Sequence, residues 1–575
     1  MSMVDFKQTV AKALAQAIAL PDFPAEKLAG FLEVPPQPEL GDYAFPCFKL
    51  AAAFKKAPPL IALELSKKLA LPKEITEARV AGPYLNFFVQ KAALAERVLK
   101  QVLGEKEKYG AGHEGRGKKI VNEYFSPNTN KPIHLGHLRN ICLGLAVNRL
   151  HENRGYKVVR ATLYNDRGAH ICKSMLAYER WGKGKTPESE ALKSDHFVGD
   201  YYVKFAQESE KDPSLESMAL EMTKKWEEND KPVRALWKKM NQWALGGFRQ
   251  TLKRLGVEFD KEFFESQIYD KGKQMVEEGL GKGVFVRDEK GGVIVDLEEF
   301  GLGKKHVLRP DGTSLYITQD LYLAKLKFDL FKPDQSVYVV ASEQNLHFRQ
   351  LFKVFELLGF EWAKKCRHLS YGLVNLPEGR MKSREGTVVD ADDILDELTV
   401  LAREELLKRY KDLGKRELEK RASVIALSAL KFYMVRVDPA KDMVFNPAES
   451  ISFDGETGPY LLYAYARAKS ILAKAGRLPA TADYARLVHE KEKQLLSLLE
   501  HYPQVVRESV EAVTTHKVAQ FLLRLAAEFN GYYHEVPVLQ AEKAEREARL
   551  ALVEAASIVL KNALHLLAIE TLERM

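Results

Sequence analysis

Residues 118–165 read KKIVNEYFSPNTNKPIHLGHLRNICLGLAVNRLHENRGYKVVRATLYN. KKIVNEYF and YKVVRATLYN have the length and β-branched content of strands, and the stretch between them, opening after a turn of Ser, Pro and Asn, has the length of a helix. Strand, helix, strand over such a span makes a unit whose strands run parallel. A second unit follows in QSVYVVAS (335–342), a helix through FELLGF (355–360) and the strand-like HLSYGLVNL (368–376). Two such units predict an α/β class fold in which a Rossmann-type, doubly wound parallel sheet forms a core domain over residues 113–390.

Working outward, residues about 175–300 separate the two halves and are highly charged and helical in pattern, as an inserted helical domain is. Residues 1–112 predict an α+β N-terminal domain: a leading amphipathic helix, the turn-rich PPQPELGDYAFP (35–46), a Lys-rich helix through LIALELSKKLA (60–70) and the strand-like ARVAGPYLNFFV (78–89). The charged, Gly-rich EKEKYGAGHEGRGKK (105–119) is the best linker near the front. Beyond residue 391 nearly everything reads as helix, giving a helical stem over 391–450 and an all-α domain over 451–575.

A chain of 575 residues is too long for one core. Lys and Arg (87) outnumber Asp and Glu (79) by 8, a mild excess that suits a phosphate-rich partner without requiring one. The four cysteines, Cys47, Cys142, Cys172 and Cys366, stand singly, with no CxxC pair for a structural metal and no disulfide framework. That usage suits a reducing cytoplasm. No uncharged apolar run reaches membrane-spanning length.

The sharpest motif is SPNTNKPIHLGHLRN (126–140), which sets His134 and His137 on either side of a glycine where a strand gives way to a helix. Residues at i and i+3 share a helix face, and a helix N-terminus offers free N–H groups and partial positive charge to an anion. Gly136 has no Cβ to keep a flat adenine off the backbone. Donors of this kind, aimed at charge that grows in a transition state, contribute on the order of 10²-fold each. The plainer alternative is helix capping and core packing. A second element is PEGRMKSREGTVVDADD (377–393), a basic, Gly-flanked loop carrying Arg380, Met381, Lys382, Ser383 and Arg384. A mobile cationic loop can close over a leaving pyrophosphate and later release it.

Together these two elements resemble the HIGH and KMSKS signatures of class I aminoacyl-tRNA synthetases. The wording NEYFSPNTNKPIHLGHLRN, LYNDRGAHICKSM, DGTSLYITQD, ASEQNLHF, MKSREGTVVDADD, SFDGETGPYLLYAYAR and ALHLLAIETLERM narrows the resemblance to the arginyl-tRNA synthetase family, almost from end to end. The resemblance implies ATP as substrate, with Mg2+, for activating L-arginine to arginyl-adenylate and loading it onto tRNA(Arg), releasing AMP and pyrophosphate. It also implies arginine activation that needs bound tRNA, and a monomer. One departure is that Arg380 stands at the first lysine of the KMSKS pattern and Ser383 at the second. Many family members lacking that lysine carry one just before HIGH, where this chain has Lys131, so Lys131 is expected to take over the phosphate contact.

A guanidinium held out of water needs carboxylate and hydroxyl partners in a planar arrangement. The resemblance places Tyr316, Asp320 and Gln344, together with Ser126, Asn128 and His137, around arginine; Tyr316 and Asp320 are four apart and share a face if helical. Glu123, on the strand leading into the turn, is a further candidate for the amino or guanidinium group. GKGKT (182–186) is discounted as a phosphate-binding loop because Glu179 stands at that motif's first glycine. His170 and Cys172 are discounted as a metal pair for want of further ligands.

By the same resemblance the C-terminal domain binds the anticodon and the N-terminal domain the outer corner of the tRNA. Phe453, Tyr460, Tyr463, Tyr465 and Arg467 supply rings and a guanidinium of the kind that stacks on unpaired bases. Half of these belong in the core at helical spacing; Phe453, Tyr460 and Arg467 are the expected RNA contacts, the last two exposed. Two rival readings are another HxGH nucleotidyltransferase and a non-catalytic tRNA-binding relative. The first needs neither end domain, and retention of both histidines, Lys131, Tyr316, Asp320 and Gln344 argues against the second.

Overall fold

The computed structural model describes residues 6–35, 37, 40–377, 389–410, 412–476 and 481–575. The chain opens with helices α1 (Phe6–Ile18), α2 (Ala25–Phe31), α3 (Ala51–Phe54) and α4 (Pro58–Lys68) around strands β1 (Tyr43–Pro46), β2 (Ile75–Ala81) and β3 (Tyr84–Val89), then runs into α5 (Lys91–Glu105). The strands form an antiparallel sheet in the order β1-β3-β2. The face of α1 carrying Phe6, Val10, Leu14 and Ile18 is buried, as its apolar spacing dictates.

The second part is built on β4 (Lys119–Glu123), α6 (Leu135–Asn153), β5 (Lys157–Tyr164), α7 (Ala169–Ala177), α8 (Ser194–Ser209), α9 (Ser214–Glu227), α10 (Lys231–Leu255), β6 (Lys261–Phe264), α11 (Glu265–Ile268) and α12 (Gly272–Gly281). It continues through β7 (Val286–Arg287), β8 (Val293–Asp296), β9 (Lys304–Leu308), α13 (Tyr316–Phe331), β10 (Gln335–Ala341), α14 (Asn345–Leu357), β11 (Cys366–Tyr371) and β12 (Val374–Asn375). Five parallel strands lie in the order β11-β10-β4-β5-β6. Successive strands leave β4 in one direction and β10 lies on its other side, so the order reverses between β4 and β10, and the crevice at their carboxyl ends is where such sheets take ligands.

The stretch expected as a purely helical insertion is more than that. Residues 261–264 pair with β5 as the edge strand of the central sheet, and β7, β8 and β9 form a separate antiparallel meander. Strands this short carry too little periodicity to stand out from a charged surrounding.

α6 is buried along most of its length and packs against β4, β5 and β10. Gly144 permits this approach, because a Cβ there would run into the Tyr124 ring. Buried Arg139 donates to the carbonyls of Gly372, Pro439 and Lys441, tying the helix to the chain that leads into the C-terminal part.

That part comprises α15 (Ala391–Arg409), α16 (Lys415–Val435), β13 (Met443–Val444, parallel to β12), α17 (Pro447–Ser450), α18 (Gly458–Ala475), α19 (Glu490–Glu511), α20 (His516–Glu535) and α21 (Lys543–Leu566). The stretch expected as a linker, 105–119, is instead pinned. Tyr109 is buried and its hydroxyl donates to Leu499 O at 2.8 Å, and Asn562 Nδ2 donates to Lys106 O at 2.9 Å. Tyr43 OH and Arg97 both reach Glu500, so the N-terminal sheet rests on α19. No helix among the described residues is long and apolar enough to cross a membrane.

Candidate active site at the β4–β10 crevice

Strand β4 ends in backbone strain. Phe125 has φ +57°, a left-handed conformation costing a bulky residue about 1–3 kcal/mol. Asn140 of α6 holds it there: its Oδ1 accepts from Phe125 N at 2.6 Å while its Nδ2 donates to Val339 O of β10 at 2.7 Å, and the Thr162 hydroxyl donates to Phe125 O. The chain is thereby thrown into the turn that carries Ser126, exposed, and Asn128, half-buried and bridged to Asn165 at the end of β5.

The turn ends at His134, the N-cap of α6. Nδ1 of His134 accepts from Gly136 N and Nδ1 of His137 accepts from His134 N, each at 3.2 Å, a reciprocal cap made by two imidazoles. Their ring centroids are 3.8 Å apart and a Cβ at Gly136 would stand 3.1 Å from the His134 ring. Burial, with the charge of Lys131 adding to it and that of Asp390 opposing, drives His134 down to about 3, and burial drives His137 well below the usual histidine range. Both rings are therefore neutral at physiological pH. Because Nδ1 accepts in each, the proton sits on Nε2, so both rings present a fixed neutral donor.

Beside them, Lys131 is pushed below its ordinary value by burial and has no ion-pair partner among the described residues. His170, in the first turn of α7, is down to about 4 through burial and the charges of Lys131, Arg167 and Lys173. Its Nε2 is buried without a hydrogen-bond partner among the described residues. A buried lysine beside an imidazole whose charged form it disfavours, with Nε2 unengaged, is a pair that an anion would join.

Across the crevice, α13 begins with Tyr316, 65% exposed, and Asp320 follows one turn on. Asp320 is oriented by a residue that sequence reasoning missed, His347 of α14. A second missed group is Glu265, which follows β6. Its carboxyl is buried, Oε2 has no hydrogen-bond partner among the described residues, and desolvation raises it to about 7; Arg167 and Gln319 work against that rise and Asp166 and Asp320 reinforce it. Glu265 also acts electrostatically on Tyr316, so the two are near neighbours. Asp166, by contrast, is satisfied by the backbone N–H and hydroxyl of Ser266. The only signal for Glu265 was its place after a four-residue strand in a stretch read as insertion. Gln344, exposed, stands at the N-terminal boundary of α14, three residues past β10, and makes no side-chain cap.

Glu123, expected at the amino or guanidinium group, forms a buried ion pair with Lys327 of α13 at 2.6 Å, which compensates part of its charge. Arg380, Met381, Lys382, Ser383 and Arg384 lie outside the described residues. Residues 389–391 lie directly against the turn that carries His134: Leu135 N donates to Val389 O at 3.2 Å and Ala391 N to Ile133 O at 2.9 Å.

In the C-terminal part a cavity of about 1530 Å³ opens between α15, α18 and the end of α20, walled by Tyr463, Arg467, Tyr533 and Arg574 among others. The Arg467 guanidinium lies 4.7 Å from the Tyr463 ring and 5.0 Å from that of Tyr533, and Nη1 donates to Asn530 Oδ1 at 2.7 Å. Of the aromatic candidates, Phe453 is wrong as an RNA-facing ring: it is 7% exposed and covered by Arg409, whose guanidinium sits 4.1 Å from its centroid. Tyr460, expected to be exposed, is half-buried against the core, Arg467 is likewise half-buried, and Tyr465 is core. Tyr533, 42% exposed on α20, was missed because it comes from a distant helix.

With this geometry in view, the chain matches three family models: the N-terminal domain of arginyl tRNA synthetase over residues 5–89, the catalytic domain of class I (R) tRNA synthetases over 98–447, and the DALR anticodon binding domain over 461–575. It is 46% identical to the arginine–tRNA ligase of Treponema denticola over 95% of this chain and 94% of that protein, and 42% identical to that of Treponema pallidum over 99% of both. The solved structure of Thermus thermophilus arginyl-tRNA synthetase superposes with a TM-score of 0.83 at 28% identity, covering 99% of this chain and 100% of that one. This protein belongs to the arginyl-tRNA synthetase family of class I aminoacyl-tRNA synthetases.

Proposed function

We propose that the β4–β10 crevice is where this arginine–tRNA ligase joins arginine to ATP, with His134, His137 and Lys131 on the nucleotide and Asp320, Glu265 and Tyr316 on the guanidinium. In the first step the arginine carboxylate attacks the α-phosphorus; the new O–P bond forms as the bond to pyrophosphate breaks. In the second a terminal ribose hydroxyl of the tRNA attacks the activated carbonyl and AMP leaves. Magnesium would enter with the nucleotide, as part of that substrate.

The observation that carries this reading is the pair of caps that makes each imidazole a neutral Nε2 donor beside a buried lysine. Neutral donors stabilise phosphate charge as it grows without giving up a proton, and they are held in place before the reaction begins, which is where such groups gain on the order of 10²-fold each. Lys131, whose charged form burial disfavours, gains a partner when phosphate oxygens arrive and binds them as a point charge. On the amino-acid side, two carboxylates in one pocket select a fork-shaped cation; lysine, with a single ammonium, would leave one of them unpaired. Ser126, Asn128 and Gln344 border the same crevice and are assigned to the amino acid's polar backbone groups.

Tyr463, Arg467 and Tyr533 are assigned to unpaired bases of the tRNA, since rings and a guanidinium around one basin form a stacking platform. The N-terminal domain is assigned to the outer corner of the same tRNA. All four cysteines are free and buried, consistent with a cytosolic enzyme, which we take to act as a monomer. The deciding experiment measures arginine-dependent ATP–pyrophosphate exchange with and without tRNA, and charging of total tRNA with radiolabelled arginine. Exchange with lysine in place of arginine, or none with either, defeats the assignment.

A further inference from the structure

The turn that carries His134 is braced from an element far from it in sequence. Residues 133–135 run antiparallel to 389–391, and His134 faces Asp390 as the pair between the two flanking hydrogen bonds. In such a pair the side chains share a face and stand closest. Asp390, 8% exposed, uses Oδ1 to cap α15, accepting from Asp392 N at 2.7 Å. Its Oδ2 lies 3.1 Å from Nε2 of His196, in the first turn of α8. The approach is an ion-pair contact, and neither atom has a hydrogen-bond partner among the described residues.

Asp393 and Asp200 act on this pair at longer range, and the other charges nearby already have partners. Lys193 Nζ stands 2.8 Å from both Asp195 and Asp392, Arg254 Nη1 reaches Asp392 at 2.7 Å, and the Thr251 hydroxyl donates to the same carboxylate at 2.7 Å. His196 is thus left as the group that holds Asp390. We infer that His196 is a positioning residue for the reaction: by holding Asp390 it fixes the backbone on which His134 is mounted and offsets a carboxylate that faces the nucleotide-binding imidazole. Without that partner, Asp390 is a buried anion turned toward the place where phosphate binds, and it repels the nucleotide while leaving the arginine pocket, on α13 and after β6, untouched.

This rests on the catalytic reading of His134. The test uses the full chain with tRNA and compares His196→Leu, which removes the polar partner, with His196→Gln, whose amide nitrogen reaches the position of Nε2. In pyrophosphate exchange His196→Leu should lower kcat by about tenfold or more and raise the KM for ATP, with the KM for arginine within about twofold of the parent, and His196→Gln should recover most of the loss. Equal rises in both KM values, an unaffected His196→Leu, or a His196→Gln no better than His196→Leu overturns the inference. Should His196→Leu fail to fold, His196→Asn, whose amide falls one bond short, takes its place. Amide hydrogen exchange at Leu135 and Ala391 needs no substrate: it should quicken in His196→Leu and return in His196→Gln, and unchanged exchange refutes the linkage. A parent chain without arginine-dependent exchange would instead refute the catalytic reading, and the amide measurement would still decide the role of His196.

Discussion

Nε2 of His347 stands 2.7 Å from Oδ2 of Asp320, joining α14 to the first turns of α13. The carboxylate expected to meet the substrate's cation is therefore aimed by a neighbour rather than free to turn. Asp320→Ala removes the charge itself and should raise the arginine KM by the equivalent of about 3–5 kcal/mol, the usual cost of stripping one partner from a desolvated ion pair. His347→Ala leaves the charge and removes only its orientation, so its effect should be nearer about 1 kcal/mol. Arginine titrations in the exchange assay distinguish the two, and equal effects would show that His347 does more than orient.

Glu265, assigned to the arginine pocket, should make arginine binding depend on pH. Its carboxyl is raised to about 7 in the free protein, and a guanidinium beside it favours the ionised form, so binding expels a proton. Above pH 7 the group is already charged and binding is at full strength; below pH 7 the proton must be displaced and the arginine KM climbs, by up to about tenfold per pH unit. Glu265→Gln should bind more weakly and flatten the profile. A parent profile that is flat, or that slopes the other way, would remove Glu265 from the site.

Lys131→Ala should slow adenylate formation by about 100-fold or more while changing arginine affinity by less than about threefold, because the lysine is assigned to phosphate and not to the amino acid. Single-turnover measurement of adenylate formation beside equilibrium binding of arginine reads both. An unchanged rate would mean that a cation other than Lys131 grips the phosphates.

Arg467→Ala and Tyr533→Phe probe the basin in the C-terminal helices. Loss of the guanidinium that bridges Tyr463 and Tyr533 should raise the tRNA KM by the equivalent of about 1–3 kcal/mol per base stacked, with the exchange rate at saturating tRNA preserved. Tyr533→Phe keeps the ring and should lose little. Filter binding of labelled tRNA checks both, and an intact affinity in Arg467→Ala would move the anticodon contact to another face.

Stability of the C-terminal bundle turns on Glu492 and Arg549, whose ion pair at 2.8 Å joins α19 to α21 with Glu492 fully buried. Arg549→Met leaves that carboxylate without its cation and should destabilise the domain by about 3–5 kcal/mol. Denaturant melts of the full chain measure it, and replacing both residues with apolar ones of similar volume should restore much of the loss.

The sequence carried what is local in the chain. The alternation of strand-length and helix-length segments specified a parallel sheet, the placing of His134, Gly136 and His137 at a strand-to-helix turn specified a helix N-terminus with two imidazoles, and the spacing of Tyr316 and Asp320 put them on one helix face. These are legible because period and spacing involve residues within a few positions of each other. Tertiary structure decided everything that depends on partners distant in sequence: that Glu123 pairs with Lys327, that Glu265 arrives just after a strand inside the supposed insertion, that His347 aims Asp320, and that Phe453 is sealed under Arg409 while Tyr533 completes the aromatic wall. Even the protonation state of the two histidines belongs to this second class, for it is burial and the backbone N–H groups of one folded turn that keep them neutral and set the proton on Nε2.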